Sequence, residues 1–387
     1  MRKQVGQNSV SFKQYNRGLC LKLIATGVCS SRIELSRKTQ LTKMTISNIV
    51  GEFLEKSILV ECEEELTEVC GRNPVILRLS EKAPKVIGLL IFRDRIEGIL
   101  CDLKMDILQK ESIPFQTLDV QTLKEYSCQV IDRLAAKEKN ILGLGVAAIG
   151  PVDIRNGLLL NPPRFYGIQN VDILGFLRER YPWPICFDHE NSSAALAEKL
   201  FGVGKNEQDF IFLGISNGIG SGIIIDGEVY HNRQGLAPEV GHMSIDYRGL
   251  PCECGNRGCL EMYANTSVML EKLRKVTGKN FSFAEFCQIQ GDHGVDAIFL
   301  QMIEDISVVL VNMVNILQPE LIVLGHDCTD WQDAHVRYLE KLINEKKLVN
   351  NHRRIPVRKA YFKKDALLVG AAANVVNYVF MGNLLFS

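Results

Sequence analysis

The feature that most constrains this chain is a short cysteine-rich segment preceded by a histidine. The segment reads CECGNRGC, and its cysteines and the histidine form a set of possible metal ligands. These ligands are His242, Cys252, Cys254 and Cys259. Three thiolates and one imidazole are a standard tetrahedral set for Zn²⁺, and Gly255 and Gly258 permit the tight loop that brings the sulfurs together. Because the protein would supply every ligand, we expect a structural zinc ion and not a catalytic one.

The other cysteines and the apolar runs indicate a cytoplasmic protein. Several cysteines lie singly in apolar or helical segments, where buried free thiols are the simplest interpretation. These are Cys20, Cys101, Cys128, Cys186 and Cys287. The N-terminal stretch MRKQVGQNSVSFKQ lacks the apolar core of a secretory signal, and no stretch approaches the roughly 20 apolar residues of a membrane span. In a reducing compartment, clustered cysteines hold metal more often than they form disulfides.

Charge is distributed unevenly along a chain that is neutral overall. Residues 1–50 contain nine Lys and Arg residues and one acid, Glu34, so the rest of the chain carries the balancing negative charge. A basic end on an acidic body is the layout of a DNA-binding head joined to an effector domain. The length of 387 residues also predicts two or three domains.

Apolar spacing predicts three short helices in the basic segment. The first covers Phe12–Ala25, and the second covers Arg32–Thr39 with Ile33 and Leu35 turned inward. A brief turn separates the second helix from a third, which starts near Thr42. Two helices joined by so short a turn match a helix-turn-helix.

The N-terminal face of the third helix carries small hydrogen-bonding side chains and one cation. These are Thr42, Lys43, Thr45, Ser47 and Asn48. Such a face suits a recognition helix in the major groove of DNA. An ordinary capped surface helix would show the same pattern, so the helix alone does not decide between the two.

Two strand-like runs follow and have the layout of a wing. They are Ile58–Glu61 and Val75–Leu79, separated by a polar stretch. Arg72 beside Gly71 is placed to reach a phosphate or the minor groove. The stretch is also rich in glutamate, which phosphate repels, so we expect most of the wing to point away from DNA.

Beyond Lys85 strands alternate with helices, which predicts an α/β fold. The predicted strands are Val86–Ile91, Ile141–Ala147, Phe210–Leu213, Gly222–Ile225 and Leu321–Leu324. The predicted helices include Leu123–Leu134 and Ala297–Leu317. No internal sequence repeat is evident.

Several motifs of this region resemble those of one family. Pro238–Met243 reads PEVGHM and leads into the zinc segment, while Asn217–Gly222 reads NGIGSG and is followed by an Asp-Gly turn at 226–227. Ile149–Asp153 reads IGPVD, and the head ends in GRNP. Together these motifs closely resemble the ROK family (repressors, open reading frames and kinases), and the head resembles that of its repressor branch.

The resemblance implies two α/β lobes of the actin/hexokinase-like (ribonuclease H-like) type, with a sugar bound in the cleft between them. It implies a winged helix-turn-helix over residues 1–82, a first lobe over 83–200, and a second lobe over 201–387 whose final helix returns to the first. The sugar-contacting residues that it implies are His189, Glu190, Glu239, His242 and Glu261. Carboxylates suit this role because they accept hydrogen bonds from hydroxyl groups. Zinc would fix the loop that positions Glu239 and Glu261.

Departures from the family's kinases argue against catalysis. Their phosphate motif, D-x-G-x-T, has Leu90, Phe92 and Asp94 at its three defining positions in this chain. Phosphoryl transfer depends on neutralising the charge of the phosphates, so we expect no kinase activity. Glu190 replaces the catalytic Asp of the kinases, and its longer side chain moves the carboxylate by about 1 Å. A Glu at this position resembles the xylose-repressor branch of the family more than the glucokinases. A glycine pair is replaced by Gly325-His326.

These expectations describe a sugar-responsive repressor that binds operator DNA as a homodimer or homotetramer. A monosaccharide or sugar derivative in the cleft would change the arrangement of the lobes and, with it, the affinity for DNA. Two alternatives remain open. One is an active sugar kinase with an appended head, and the other is a DNA-binding scaffold that a protein partner controls.

Overall fold

The computed structural model of the protein describes residues 9–63, 75–349 and 353–383. Its first part consists of three helices and an antiparallel hairpin. These are α1 (Ser9–Ala25), α2 (Arg32–Thr39) and α3 (Lys43–Glu55), then β1 (Leu59–Glu63) paired with β2 (Val75–Leu79). The helices and strands predicted here are thus present, although α1 starts before Phe12. Thr42 caps α3, because its side chain accepts a hydrogen bond from the Thr45 amide.

Helix α2 buries only one of the two side chains predicted to face inward. Leu35 is fully buried, but Ile33 is 59% exposed, so the prediction that both face inward is wrong for Ile33. The physical reason is that residues two positions apart on a helix point to nearly opposite sides. Arg72 and most of the glutamate-rich stretch lie outside the described residues.

The next part is a lobe built on a five-stranded sheet. It contains β3 (Lys85–Ile91), β4 (Arg95–Cys101), β5 (Ile107–Pro114), α4 (Val120–Ala135), β6 (Ile141–Ala148), β7 (Val152–Asp153), β8 (Leu158–Leu159), β9 (Val171–Asp172), α5 (Ile173–Arg180), β10 (Ile185–His189) and α6 (Glu190–Leu200). The strand order is β10-β6-β3-β4-β5, and β7, β8 and β9 form a small separate sheet. Strands β3, β4 and β5 are antiparallel neighbours, whereas β6 and β10 extend the sheet in parallel.

A second lobe repeats this topology. It contains β11 (Phe210–Ile215), β12 (Ile219–Ile225), β13 (Glu228–Val229), α7 (Glu261–Ala264), α8 (Thr266–Thr277), α9 (Phe283–Cys287), α10 (His293–Leu317), β14 (Leu321–His326), α11 (Asp333–Lys346), β15 (Val357–Lys359) and α12 (Ala366–Phe380). The strand order is β13-β12-β11-β14-β15, again three antiparallel strands followed by two parallel ones. The predicted α/β class is confirmed, and the repeat that the sequence conceals is visible in the topology.

The last helix packs against the first lobe. Helix α12 lies against β3, β6 and α6, and α4 covers β3 and β4 as well. Every residue of β3 is buried, as expected for a strand covered on both faces. Gly145 on β6 allows the close approach, because a Cβ there would lie 1.7 Å from the carbonyl oxygen of Ala371 on α12.

The head contacts the end of the same helix. Helix α1 packs against α12 at Gly18, where a Cβ would come within 2.5 Å of the Phe380 carbonyl oxygen. A Cβ on Gly382, just beyond α12, would come within 2.7 Å of the Tyr15 amide nitrogen. The head is therefore joined to the first lobe by backbone-to-backbone packing, and α12 connects it to α6.

One described helix, α10, has the length and composition that a membrane span would need. Its apolar residues include Phe299, Ile303, Ile306 and Leu310, which are all buried in the core of the second lobe. The core helix of a protein that does not enter a membrane meets the same test, so α10 is weak evidence for a span.

The cysteines outside the proposed metal cluster are free thiols throughout the described ranges. Cys20, Cys101 and Cys287 are buried as expected, whereas Cys128 and Cys186 are only half-buried. Burial raises the pKa of the Cys20 and Cys287 thiols to about 12, so both stay protonated and unreactive.

Candidate functional site

The predicted metal ligands converge on one point of the second lobe. The ligand atoms of His242, Cys252, Cys254 and Cys259 all lie within 4.8 Å of one another. His242 Nδ1 is 3.6 Å from Cys252 Sγ, and Cys254 Sγ is 3.6 Å from Cys259 Sγ. A tetrahedral ion with Zn–S bonds of about 2.3 Å requires sulfur atoms about 3.8 Å apart. The cluster therefore has the donor set and the spacing of a closed four-coordinate metal site.

The loop around this cluster is built by tight turns. Gly255 and Gly258 have φ values of 90° and 69°, a left-handed conformation that glycine adopts without strain. The Met243 carbonyl accepts a hydrogen bond from the Leu260 amide at 2.9 Å, which ties the two ends of the loop together. Directly after Leu260, Glu261 starts α7, and its Oε2 accepts a hydrogen bond from the Ile219 amide at 3.0 Å. The cluster thus fixes a carboxylate on the wall of the neighbouring cleft.

The five residues predicted to contact sugar line a single cavity between the lobes. His189 ends β10 and Glu190 begins α6 on the first lobe, while the second lobe contributes Glu239, His242 and Glu261. The end of a parallel strand is where α/β folds commonly place ligands. The cavity measures about 30 Å³, whereas ligand sites commonly measure about 300–1,000 Å³. A small-molecule ligand would therefore fit only if the cleft opened.

Among the described residues that line this cavity, four buried polar atoms have no hydrogen-bond partner. They are His189 Nδ1, Glu190 Oε2, Asn191 Oδ1 and Glu239 Oε1. Leaving such atoms unpaired costs about 1–3 kcal/mol each, so native proteins rarely do so without a functional reason. A ligand with several hydroxyl groups could supply the missing donors and acceptors.

The titratable groups of the cavity are strongly perturbed. Burial raises the pKa of Glu190 to about 7, against the opposing charges of Arg93, His326 and Arg95. Burial and the neighbouring Glu261 raise the pKa of Glu239 to about 7. Burial lowers the pKa of His189 to about 4, so its imidazole is neutral. At neutral pH the cavity can therefore both donate to and accept from hydroxyl groups.

Beside this cavity lies a second one of about 370 Å³, lined in part by Phe92, Asp94 and His326. Phe92 is 4% exposed, and its ring stacks on that of His326 with centroids 5.5 Å apart and planes 14° apart. Phe92 belongs to the first lobe and His326 to the second. Leu90 is buried in β3, and Asp94 forms an ion pair with Arg95 at 2.7 Å. Of the replacements identified in the sequence, Phe92 and His326 thus form an inter-lobe contact.

The structure also shows which side chains α3 offers to a partner. Thr42, Lys43, Ser47 and Asn48 are exposed, whereas Thr45 is half-buried with its hydroxyl 2.9 Å from that of Thr42. Met44 is 75% exposed on the same turn, a residue that sequence reasoning missed. One glutamate of the wing, Glu61, forms an ion pair with Arg32 of α2. This ion pair neutralises one acid of the wing.

Arg93 is a second residue that sequence reasoning missed. It occupies the turn between β3 and β4, lines the cavity, and donates a hydrogen bond from Nη1 to the Pro163 carbonyl. The sequence did offer one signal for Arg93: it is a cation within the segment where the kinase phosphate motif is replaced. The sequence alone could not show that the turn carrying Arg93 lies beside the cavity.

The comparisons with known proteins agree with these features. The model of the ROK family matches residues 86–377. The chain is 27% identical to the xylose repressor of Caldicellulosiruptor bescii, over 96% of this chain and 97% of that protein. Among solved structures, a ROK family transcriptional regulator, a homologue of the Escherichia coli Mlc protein, has a TM-score of 0.81 at 24% identity, covering 96% of this chain and 98% of that one. A ROK family glucokinase from Streptomyces griseus has a TM-score of 0.68 at 21% identity, covering 74% and 98%.

Proposed function

We propose, from the premise that the chain belongs to the ROK family, that it is a sugar-responsive, DNA-binding transcriptional repressor of carbohydrate-utilisation genes. The observation that carries this proposal is the likeness over nearly the whole length, head included, to a protein named as a xylose repressor. The glucokinase likeness covers less of the chain. The chain is an α/β protein with two actin/hexokinase-like lobes.

In this proposal the head reads the operator. Residues 1–82 form a winged helix-turn-helix, and α3 enters the major groove with the exposed side chains at its start. Those side chains are Thr42, Lys43, Thr45, Ser47 and Asn48, with Arg72 of the wing on a phosphate. A homodimer or homotetramer presents paired heads to a palindromic operator in the cytoplasm.

The cleft between residues 83–200 and 201–387 senses the sugar. Its contacts are His189, Glu190, Glu239, His242 and Glu261, and the unpartnered atoms of His189, Glu190 and Glu239 support this assignment. The ligand is a monosaccharide or a close derivative, and xylose is the first candidate because of the named relative. Sugar binding changes the lobe arrangement, and α12 transmits the change to α1.

We further propose that the ion held by His242, Cys252, Cys254 and Cys259 is a structural Zn²⁺. Thiolates and imidazole suit zinc, and the observed sulfur spacing fits its bond lengths. Bound there, zinc supplies rigidity and no reaction chemistry. The chain's own contribution is the turn that carries Glu261 into the cleft.

The same proposal holds that the protein is not an enzyme. Phe92 stands at one position of the replaced phosphate motif and stacks on His326, and no carboxylate replaces the aspartate of that motif. ADP formation from ATP in the presence of a sugar would overturn this part and favour the kinase alternative.

A gel shift tests the repressor function. Full-length protein is mixed with DNA flanking its own gene, alone and with D-xylose, D-glucose or N-acetyl-D-glucosamine. We expect a complex whose amount changes with one of these sugars, and a Lys43→Ala variant that binds less DNA. If no complex forms under any condition, the protein is not a repressor of these sites. If DNA binds but calorimetry detects no sugar, control by a protein partner is favoured.

A further inference from the structure

The side chain of Asn191 lies in a narrow slot between two strands of the second lobe. Asn191 is the second residue of α6, is 3% exposed, and was not among the sugar-site residues that the resemblance implied. The walls of the slot are Gly214 on β11 and Gly220 on β12, which face each other in the antiparallel ladder. A Cβ on Gly214 would lie 2.1 Å from Asn191 Oδ1, and a Cβ on Gly220 would lie 2.2 Å from Asn191 Nδ2. Only glycine at both positions leaves room for the amide.

The amide of Asn191 binds one oxygen of the neighbouring carboxylate. Its Nδ2 donates a hydrogen bond to Oε1 of Glu190 at 3.2 Å, whereas Oε2 of the same carboxylate is buried and has no partner among the described residues. A carboxylate accepts hydrogen bonds, so the amide nitrogen is the end of Asn191 that suits it. Both residues line the cavity between the lobes. One oxygen of Glu190 is therefore held, and the other remains free.

We propose that Asn191 is a positioning residue of the sugar site. Seated between the two glycines, it holds Oε1 of Glu190 and leaves Oε2 as the oxygen that accepts a hydrogen bond from a sugar hydroxyl. The terminal torsion of a glutamate side chain is broad, so without this bond the carboxylate rotates among several orientations, of which only some suit the ligand. The proposal deepens the sugar-sensing function proposed above and rests on it, because Glu190 is one of the residues assigned there to sugar.

The slot also makes the position of Glu190 depend on both lobes. Glu190 and Asn191 begin α6 directly after β10 of the first lobe, whereas the glycines of the slot belong to the second lobe. A further backbone contact presses the first turn of α6 against β12, because a Cβ on Gly222 would lie 2.2 Å from the Asn191 carbonyl oxygen. The second lobe thus orients a carboxylate that the first lobe supplies.

Calorimetry with sugar is the first test. Full-length wild type, Asn191→Ala, Glu190→Gln and the double variant are titrated with D-xylose, D-glucose or N-acetyl-D-glucosamine near pH 8, above the pKa of about 7 that burial gives Glu190. The loss of a hydrogen bond to a charged acceptor predicts about tenfold weaker binding by Asn191→Ala. In the Glu190→Gln background the acceptor is neutral and such bonds are about half as strong, so the same substitution should cost only about threefold. Equal losses in the two backgrounds, or no loss in either, overturn the proposal.

Ser221→Ala serves as a control on the same strand. Ser221 lies between Gly220 and Gly222 on β12 and is fully buried with an unpartnered hydroxyl, but it is not among the described residues that line the cavity. We expect its substitution to leave the affinity for sugar unchanged. A loss as large as that of Asn191→Ala would show that any buried polar substitution beside the slot disturbs the site, and it would overturn the specific role of Asn191.

Urea unfolding without sugar is the second test, and it separates this proposal from sugar sensing itself. Gly214→Ala should lower the unfolding midpoint of wild type, because its Cβ overlaps the Asn191 amide, and should lower it less in an Asn191→Ala background. The effects of Asn191→Ala and Glu190→Gln on the midpoint should likewise not add. Additive effects in either cycle refute the corresponding contact and with it the proposal. If wild type binds none of the sugars while both couplings are present, sugar sensing fails and the link between Asn191 and Glu190 stands.

Discussion

The contact between α1 and α12 predicts that a single methyl group loosens the head. In Gly18→Ala, the new Cβ would lie 2.5 Å from the Phe380 carbonyl oxygen, 2.8 Å from the Val379 carbonyl oxygen and 2.9 Å from the Gly382 nitrogen. All three are backbone atoms, so no side-chain rotation relieves the overlap and α1 has to shift. Overpacking of this kind costs about 1–3 kcal/mol. The higher helix propensity of alanine offsets at most about 1 kcal/mol of this cost. The substitution is therefore expected to destabilise the contact between α1 and α12.

Gly51→Ala is the matched control. Gly51 lies within α3 of the same head, and nothing lies within 4 Å of the position of its Cβ. The same chemical change is expected there to stabilise the head by about 0.5–1 kcal/mol, because alanine favours the helix. The two variants should therefore change the stability of the head in opposite directions.

Urea unfolding followed by circular dichroism measures the difference in full-length protein. The slope with denaturant reports whether the head unfolds separately, because it scales with the surface exposed. If Gly18→Ala is as stable as Gly51→Ala, the packing of α1 on α12 is not as described. In the gel shift, Gly18→Ala should also bind operator with a weaker response to sugar, since the link between α12 and the head is loosened.

Three further outcomes are expected. Cys259→Ser should lower the bound zinc, measured by mass spectrometry of the metal, from about one ion per chain to well below one, because a structural site needs all four ligands. Lys43→Ala should weaken operator binding and lower the salt dependence of log K by about one, whereas Asn48→Ala should relax sequence preference without changing that slope. For Glu190, burial raises the folded-state pKa to about 7 from 4.5, so the unfolded chain loses this proton first. Stability present below pH 4.5 should therefore fall as pH rises through 7, and Glu190→Gln should reduce the fall in unfolding free energy.

Local sequence patterns predicted those parts of the structure that are formed by residues close together in the chain. The helices of the head follow from apolar spacing and from the cap at Thr42, because a helix is stabilised by contacts within a few residues. The wrong placement of Ile33 has the same origin, since spacing within one turn decides which side chain faces the core. The proposed zinc ligands also lie close together in the sequence, and two glycines suffice to bring them together.

The sugar cleft was not predictable in this way. Glu190, Glu239 and Glu261 came from a family resemblance, and no spacing between them implies contact. Arg93 and the stacking of Phe92 on His326 were missed, because the partners lie in different lobes and meet only when both sheets are formed. These contacts therefore depend on how the two lobes are arranged in space.

The sequence by itself therefore determined the parts: a basic head of short helices, alternating α/β elements, and a set of four possible metal ligands. Only the tertiary structure decided how the parts act on one another. It placed α12 between the head and α6, left single oxygen atoms of Glu190 and Glu239 unpartnered in the closed cleft, and brought Arg93 from the turn between β3 and β4 to the wall that carries Glu261. The physical reason is that burial and charge in a cleft depend on distances between segments far apart in the chain, which local patterns do not encode.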